Sequence, residues 1–132
     1  MVDTFLDRGF TYFDTAWMYC GFKSEEATKE ALVKRHRRDS FTLADKLHGG
    51  FFNTLEEADN IFNEQLRKTG VEYFNYYLLH DVGYDHYKKY SELGCFEWLV
   101  EKKKAEKSVD TLKEEGKDWA NDWWLYRIPN SG

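Results

Sequence analysis

The sequence predicts an α/β fold in which short parallel strands alternate with helices. Three apolar or aromatic runs have strand character, and segments with helical periodicity lie between them. Strands separated by helices are joined by right-handed crossovers, which produce a parallel sheet. The chain has 132 residues, which suits one domain, and 42 % of them are hydrophobic.

The first predicted elements are a helix, a strand and a second helix. Residues 2–8 have the character of two helical turns, and Gly9 is expected to end them as the C′ residue. The run FTYFD, residues 10–14, is the first strand candidate. Ser24 is the expected N-cap of the next helix, because acidic residues follow it and the basic run KRHRR lies at the far end.

The next three elements, a strand, a helix and a strand, have clearer sequence signals. The run FTLADK, residues 41–46, is the second strand candidate. Thr54 opens the clearest helix, since Thr54 and Glu57 have capping-box spacing, and Gly70 stands just past its end. The nearly continuous apolar run YFNYYLL, residues 73–79, predicts a strand that is buried on both faces.

The remaining chain divides into a helix and a tail. One helix is predicted over residues 86–104, and residues 1–105 are expected to form the α/β unit. Residues 106–132 are expected to be a divergent helical tail rich in tryptophan. Three parallel strands leave two open sheet edges, so either this tail or a homo-oligomer is expected to cover them.

Composition excludes several classes of function. The formal net charge of −5 argues against nucleic acid or an anionic membrane as the main partner. No apolar run approaches the roughly 20 residues of a membrane helix, and the first residues lack a signal-peptide pattern. Cys20 and Cys95 are far apart without a CxxC motif, which favours a reducing cytoplasm over a disulfide framework.

A polar residue ends each predicted strand. Asp14, Lys46 and His80 follow one another at nearly equal spacing, and Tyr19 lies in the loop after Asp14. Because parallel strands bring their carboxyl ends to one rim, we expect an acid, an ammonium, an imidazole and a phenol to meet there.

These four side chains suit the reversible reduction of a carbonyl group. The ammonium of Lys46 would stabilise a phenolate and make Tyr19 a proton donor to a developing alkoxide. Asp14 would hold Lys46 charged and oriented, and His80 would donate a hydrogen bond to the substrate oxygen. A nicotinamide cofactor would supply the hydride.

Other candidate sites are weaker. His36 and His48 lie in polar loops, and no metal site is predicted from them. The KRHRR run is more simply a solvated helix end than a phosphate site.

Three segments together resemble the aldo-keto reductase family. They are RGFTYFDTAWMYCGFKSEEATKEAL, ADKL and FNEQLRKTGVEYFNYYLLHD. Within them, the segments WMYCGFKSEE and YYLLHD are most similar to bacterial members of the family that often carry a ferredoxin-like iron–sulfur extension. Over residues 2–105 the resemblance implies an NADP(H)-dependent enzyme that reduces small-molecule carbonyls. Its catalytic residues would be Asp14, Tyr19, Lys46 and His80, with Asp14 also contacting the cofactor.

The resemblance implies a truncated (β/α) TIM-type barrel. Such barrels have eight strands in about 250 residues, whereas this chain supplies three. The family's later strands and loops carry most contacts to the NADP(H) phosphates and adenine, so weak cofactor binding is expected. No iron–sulfur cluster is expected either, since two isolated cysteines cannot ligate one.

Two substitutions depart from the family pattern. Asp45 stands where a small or hydroxyl residue is usual, and it is expected to compete with Tyr19 for Lys46. Asn75 stands where an aspartate is common, which is expected to matter only for structure. Two alternatives to an enzyme stay open at this point: a non-catalytic fragment, and an interaction module that completes its barrel with another chain.

Overall fold

The computed structural model describes residues 1–105 and 123–126. Within them, four strands form one sheet in the order β1-β2-β3-β4, and the first three are parallel neighbours in sequence order. The predicted α/β fold with three parallel strands is therefore confirmed. The strands are β1 Tyr12–Asp14, β2 Thr42–His48, β3 Tyr76–His80 and β4 Trp123–Tyr126.

Helices connect the parallel strands. None of those in the described part of the chain combines the length and apolar character needed to cross a membrane. The helix that ends at Thr28 continues directly as a π-helical turn over Lys29–Val33. The helices are α1 Val2–Asp7, α2 Tyr19–Phe22, α3 Ser24–Thr28, α4 Leu55–Thr69, α5 Tyr84–Leu93 and α6 Cys95–Ala105.

The core lies between the sheet and the helices α4, α5 and α6. Residues 43–47 of β2 are all buried, and Tyr77, Leu78 and Leu79 of β3 are buried as well, as expected for strands covered on both faces. The ring of Phe62 from α4 meets Tyr77 edge-on at 4.9 Å between centroids. Aromatic pairs of this geometry add to the stabilisation from burial alone.

Helix α4 begins and ends at the predicted residues. The Thr54 hydroxyl accepts a hydrogen bond from the Glu57 N–H at 3.1 Å. At the other end Gly70 adopts the left-handed conformation, with φ of +73°, which a residue without Cβ tolerates best.

Two sequence-based expectations about the helices are wrong. The single helix over 86–104 is two helices, because Gly94 turns left-handed (φ +77°) and ends α5. Ser24 is the first residue inside α3 rather than its N-cap, which is Lys23. The Ser24 hydroxyl instead forms a hydrogen bond with the Thr15 hydroxyl at 2.7 Å.

The expected tail, residues 106–132, lies outside the described residues except for 123–126. Those four residues form a strand rather than a helix, and β4 pairs antiparallel with β3. One of the two edges left by the three parallel strands is therefore paired within the chain. The proposed division into residues 1–105 and 106–132 stays a prediction.

The cap of α4 gives a direct test of the local structure. Replacing Thr54 with Ala removes the acceptor for the Glu57 N–H and should lower the free energy of unfolding by about 1 kcal/mol. Thr54→Ser keeps a hydroxyl and serves as the matched control. Urea denaturation measures both, and equal midpoints for Thr54→Ala and the wild type would contradict the cap.

Candidate active site

The candidate site is built around the side chain of Lys46 in β2. This side chain is 1 % exposed, and its ammonium group donates three hydrogen bonds. The acceptors are Asp14 Oδ1 at 2.6 Å, the Tyr19 hydroxyl at 3.1 Å and the Thr15 carbonyl at 3.2 Å. An ammonium has three protons, so this set satisfies it.

The charge of Lys46 is maintained by its partners. Burial by itself opposes the charged form, but the hydrogen bond and the negative charge of Asp14, with a smaller contribution from Tyr19, raise the pKa of Lys46 above its ordinary value. Lys46 is therefore an ammonium at neutral pH.

The direction of the Lys46–Tyr19 hydrogen bond determines which lone pair and which proton of the phenol are used. Since an ammonium can only donate, the Tyr19 oxygen accepts from Lys46, and its own proton must point to another acceptor. The Tyr19 side chain lines an open cavity of about 500 Å³. The phenol is thus placed to donate a proton to a molecule in that cavity.

The segment between β1 and α3, which contains the single irregular turn α2, positions Tyr19. Strand β1 ends at Asp14, and the Thr15 N–H continues the pairing with a bond to the Ala44 carbonyl at 3.0 Å. After Tyr19 the chain turns left-handed at three successive residues: Cys20, Gly21 and Phe22. Left-handed conformations in residues other than glycine cost of the order of 1–3 kcal/mol each and cluster at functional sites.

His80 ends β3 on the same rim. Its ring meets the ring of Tyr19 edge-on at 5.6 Å between centroids, and β2 and β3 pair His48 with His80. The structure thus brings together all four residues that the sequence predicts, although Lys46 lies two residues before the end of β2. The cavity is lined by Met18, Tyr19, Cys20, His48, His80 and Asp81.

The expected competition between Asp45 and Tyr19 for Lys46 is wrong. Neighbouring residues of a strand point to opposite faces of the sheet, so Asp45 faces away from the Lys46 ammonium. It is fully buried against α3 and α4. There the Gln65 side-chain amide lies within hydrogen-bonding distance of Glu25 Oε1 at 2.9 Å, Asp45 Oδ1 at 3.0 Å and the Lys46 carbonyl at 2.7 Å.

The carboxyl groups of Glu25 and Asp45 are both buried in this polar cluster. Burial, then the charge of Glu25 and a hydrogen bond to it, raise the pKa of Asp45 well above its ordinary value. Lys68 Nζ lies 3.1 Å from Glu25 Oε2 and balances the charge of Glu25. Burial and the charge of Glu25 therefore both favour the neutral form of the Asp45 carboxyl group. The same environment raises the pKa of Tyr77, chiefly through burial and then through the charges of Asp45 and Glu25.

Sequence reasoning missed two parts of the site. The sequence marks Glu25 only as one of the acidic residues that follow Ser24, because the direction it faces depends on how α3 packs on the sheet. The cavity walls formed by Cys20, His48 and Asp81 depend on how the chain continues from the strands, and only the position of these residues at or after the strand ends gives a signal. Asn75 is structural as expected, since its Oδ1 accepts from the Leu43 N–H at 2.8 Å and from Arg38 at 2.7 Å.

Comparison with known proteins identifies the class. The model of the aldo/keto reductase family matches residues 1–117, and the chain belongs to that family. Comparison with curated proteins gives no significant match.

Several solved aldo-keto reductases are similar to this chain. One, from Klebsiella pneumoniae in complex with NADPH, is 25 % identical with a TM-score of 0.55 over 72 % of this chain and 34 % of that one. Another, MGS-M4 from a Medee basin deep-sea metagenome library, is 27 % identical with a TM-score of 0.57 over 76 % and 35 %. A third, from Brucella melitensis, is 26 % identical with a TM-score of 0.55 over 73 % and 36 %. The chain thus spans about a third of the length of these proteins.

The raised pKa of Asp45 makes stability depend on pH. The unfolded chain loses this proton near pH 4, whereas the folded chain keeps it to higher pH, so the free energy of unfolding should fall as pH rises above about 4. Asp45→Asn keeps an amide donor for Glu25 and removes the titration. We expect a shallower fall with pH and a more stable protein at pH 7.

Urea denaturation between pH 4 and pH 8 measures this difference. The exposed Asp39 supplies the matched control, because Asp39→Asn removes a carboxylate whose side chain is 68 % exposed. Equal pH slopes for Asp45→Asn and the wild type would show that Asp45 carries no buried proton.

Proposed function

We propose that this chain carries the proton-transfer site of an NADP(H)-dependent, cytoplasmic reductase that converts a small-molecule carbonyl to an alcohol. The observation on which this proposal rests is the position of Tyr19. Its oxygen accepts a hydrogen bond from the buried Lys46 ammonium, and its side chain lines an open cavity. The family membership and the similarity to a reductase crystallised with NADPH support this proposal.

The four residues have distinct roles in the proposed proton transfer. His80 donates a hydrogen bond to the carbonyl oxygen and orients it in the cavity. Tyr19 gives its phenolic proton to that oxygen as the C–O double bond becomes a single bond, and Lys46 stabilises the phenolate that remains. Asp14 acts through Lys46, because its carboxylate keeps the ammonium charged and directed at Tyr19.

The residues present fit the reacting end of the cofactor. When bound, the nicotinamide supplies the hydride for the carbonyl carbon. Asp14, whose side chain is 41 % exposed, can accept a hydrogen bond from a cofactor hydroxyl beside Lys46. The described cavity walls include no lysine or arginine for the cofactor phosphates and include the carboxylate of Asp81.

The proton donor is tested by Tyr19→Phe. With millimolar NADPH and an activated aromatic aldehyde, this variant should oxidise NADPH at least about 100-fold more slowly than the wild type, because general acid catalysis contributes 10²–10⁴-fold. Tyr84→Phe is the matched control, since Tyr84 is 85 % exposed outside the cavity. Equal rates for Tyr19→Phe and the wild type, or no turnover by the wild type, would overturn the proposal.

Cofactor binding by the isolated chain should be weak. Because the described cavity offers no cation to the phosphates, we expect a Kd for NADPH of about 1 mM or weaker, equivalent to about −4 kcal/mol. Quenching of tryptophan fluorescence during an NADPH titration measures it. Saturable binding in the micromolar range would contradict this expectation and would place a phosphate site elsewhere in the chain.

A further inference from the structure

A second cluster of side chains lies beside the proposed proton-transfer site. His48 ends β2, Asp81 follows β3, and His86 lies in the first turn of α5. One ligand atom from each residue lies within 4.8 Å of the ligand atoms of the other two. His48 and Asp81 also line the cavity that contains Tyr19 and His80.

We propose that His48, Asp81 and His86 bind a divalent transition-metal ion of the zinc type. Two imidazoles and one carboxylate are a donor set that Zn²⁺ uses in sites with an open fourth position. Donor atoms around one tetrahedral zinc lie about 3.4 Å apart, so the three side chains must move closer together to bind one ion. All three side chains are at least partly exposed.

The hydrogen bond of His86 prepares it as a ligand. Its Nδ1 lies 2.8 Å from the Asp81 backbone carbonyl and 3.7 Å from the carboxylate oxygen Asp81 Oδ2. A carbonyl oxygen can only accept, so Nδ1 carries the proton. In the neutral ring the lone pair is then on Nε2. Histidine ligands of metals usually donate their other ring N–H to a carbonyl or carboxylate in this way.

His48 sets a limit on the affinity. Its Nδ1 accepts a hydrogen bond from the Gly50 N–H at 3.0 Å. Binding a metal through Nδ1 uses that lone pair, and binding through Nε2 requires the proton to move to Nδ1, so either route replaces the bond to Gly50. We therefore expect micromolar rather than nanomolar affinity.

The position of the cluster gives the bound ion a consequence for the cavity. The rings of His48 and His86 are 4.9 Å apart between centroids, and those of His48 and His80 are 5.1 Å apart. An ion held by His48 and Asp81 would occupy the cavity wall next to His80. The inference concerns binding alone, and it does not depend on the proposed reductase activity.

Titration of the full chain with Co²⁺ near neutral pH tests the site. Co²⁺ bound by nitrogen and oxygen ligands in a low-coordinate site gives visible absorption, and Zn²⁺ should displace it at one equivalent. The variants His48→Gln, His86→Gln and Asp81→Asn should each weaken binding about tenfold or more. Asparagine is chosen at Asp81 because it tolerates the left-handed backbone there (φ +53°).

Two controls separate this site from other metal-binding groups. His36→Gln removes a histidine that pairs with Asp3 away from the cavity, and Cys20→Ala removes the thiol in the cavity wall. Both variants should retain the wild-type affinity, with circular dichroism confirming that every variant is folded. Absence of Co²⁺ binding up to millimolar concentration would overturn the proposal. So would binding that survives both histidine substitutions or is lost in Cys20→Ala.

Discussion

The buried ammonium of Lys46 is the constraint on which the rest of the site depends. Removing a charge from water costs several kcal/mol, and the cost is offset only when the charge is paired and its protons are bonded. The partners of Lys46 are the last residue of β1, the carbonyl that follows it and the phenol of the next loop. The same requirement that stabilises the cation therefore fixes the position of Tyr19 at the cavity.

The two faces of β2 place neighbouring ionisable residues in different electrostatic environments. On one face Asp14 favours the charged form of Lys46, and on the other burial and the charge of Glu25 favour the neutral form of Asp45. The faces are connected through the backbone of Lys46. Its N–H donates to Asp45 Oδ1 at 2.8 Å, and its carbonyl accepts from Gln65 at 2.7 Å. The buried polar cluster thus holds the residue that orients the proposed proton donor.

The sequence predicted what depends on local pattern and on the geometry of parallel strands. Strand order and the meeting of Asp14, Lys46 and His80 at one rim follow from helix–strand alternation, because parallel strands share the direction of their carboxyl ends. The sequence could not show that Asp45 would pair with Glu25, since this requires knowing the packing of α3. The break at Gly94 was missed because the apolar spacing continues across it, although glycine is the common residue at such a helix end.

The fourth strand closes one edge of the sheet without contributing residues to the proton-transfer site. Strand β4 runs antiparallel to β3, and its first residue, Trp123, pairs with Leu79, next to His80. An antiparallel strand brings its amino end, not its carboxyl end, to the rim where parallel strands place chemistry. The pairing therefore satisfies backbone groups of β3 that an open edge would leave exposed, while the residues of the proton-transfer site come from the carboxyl ends of β1, β2 and β3 and from the loop after β1.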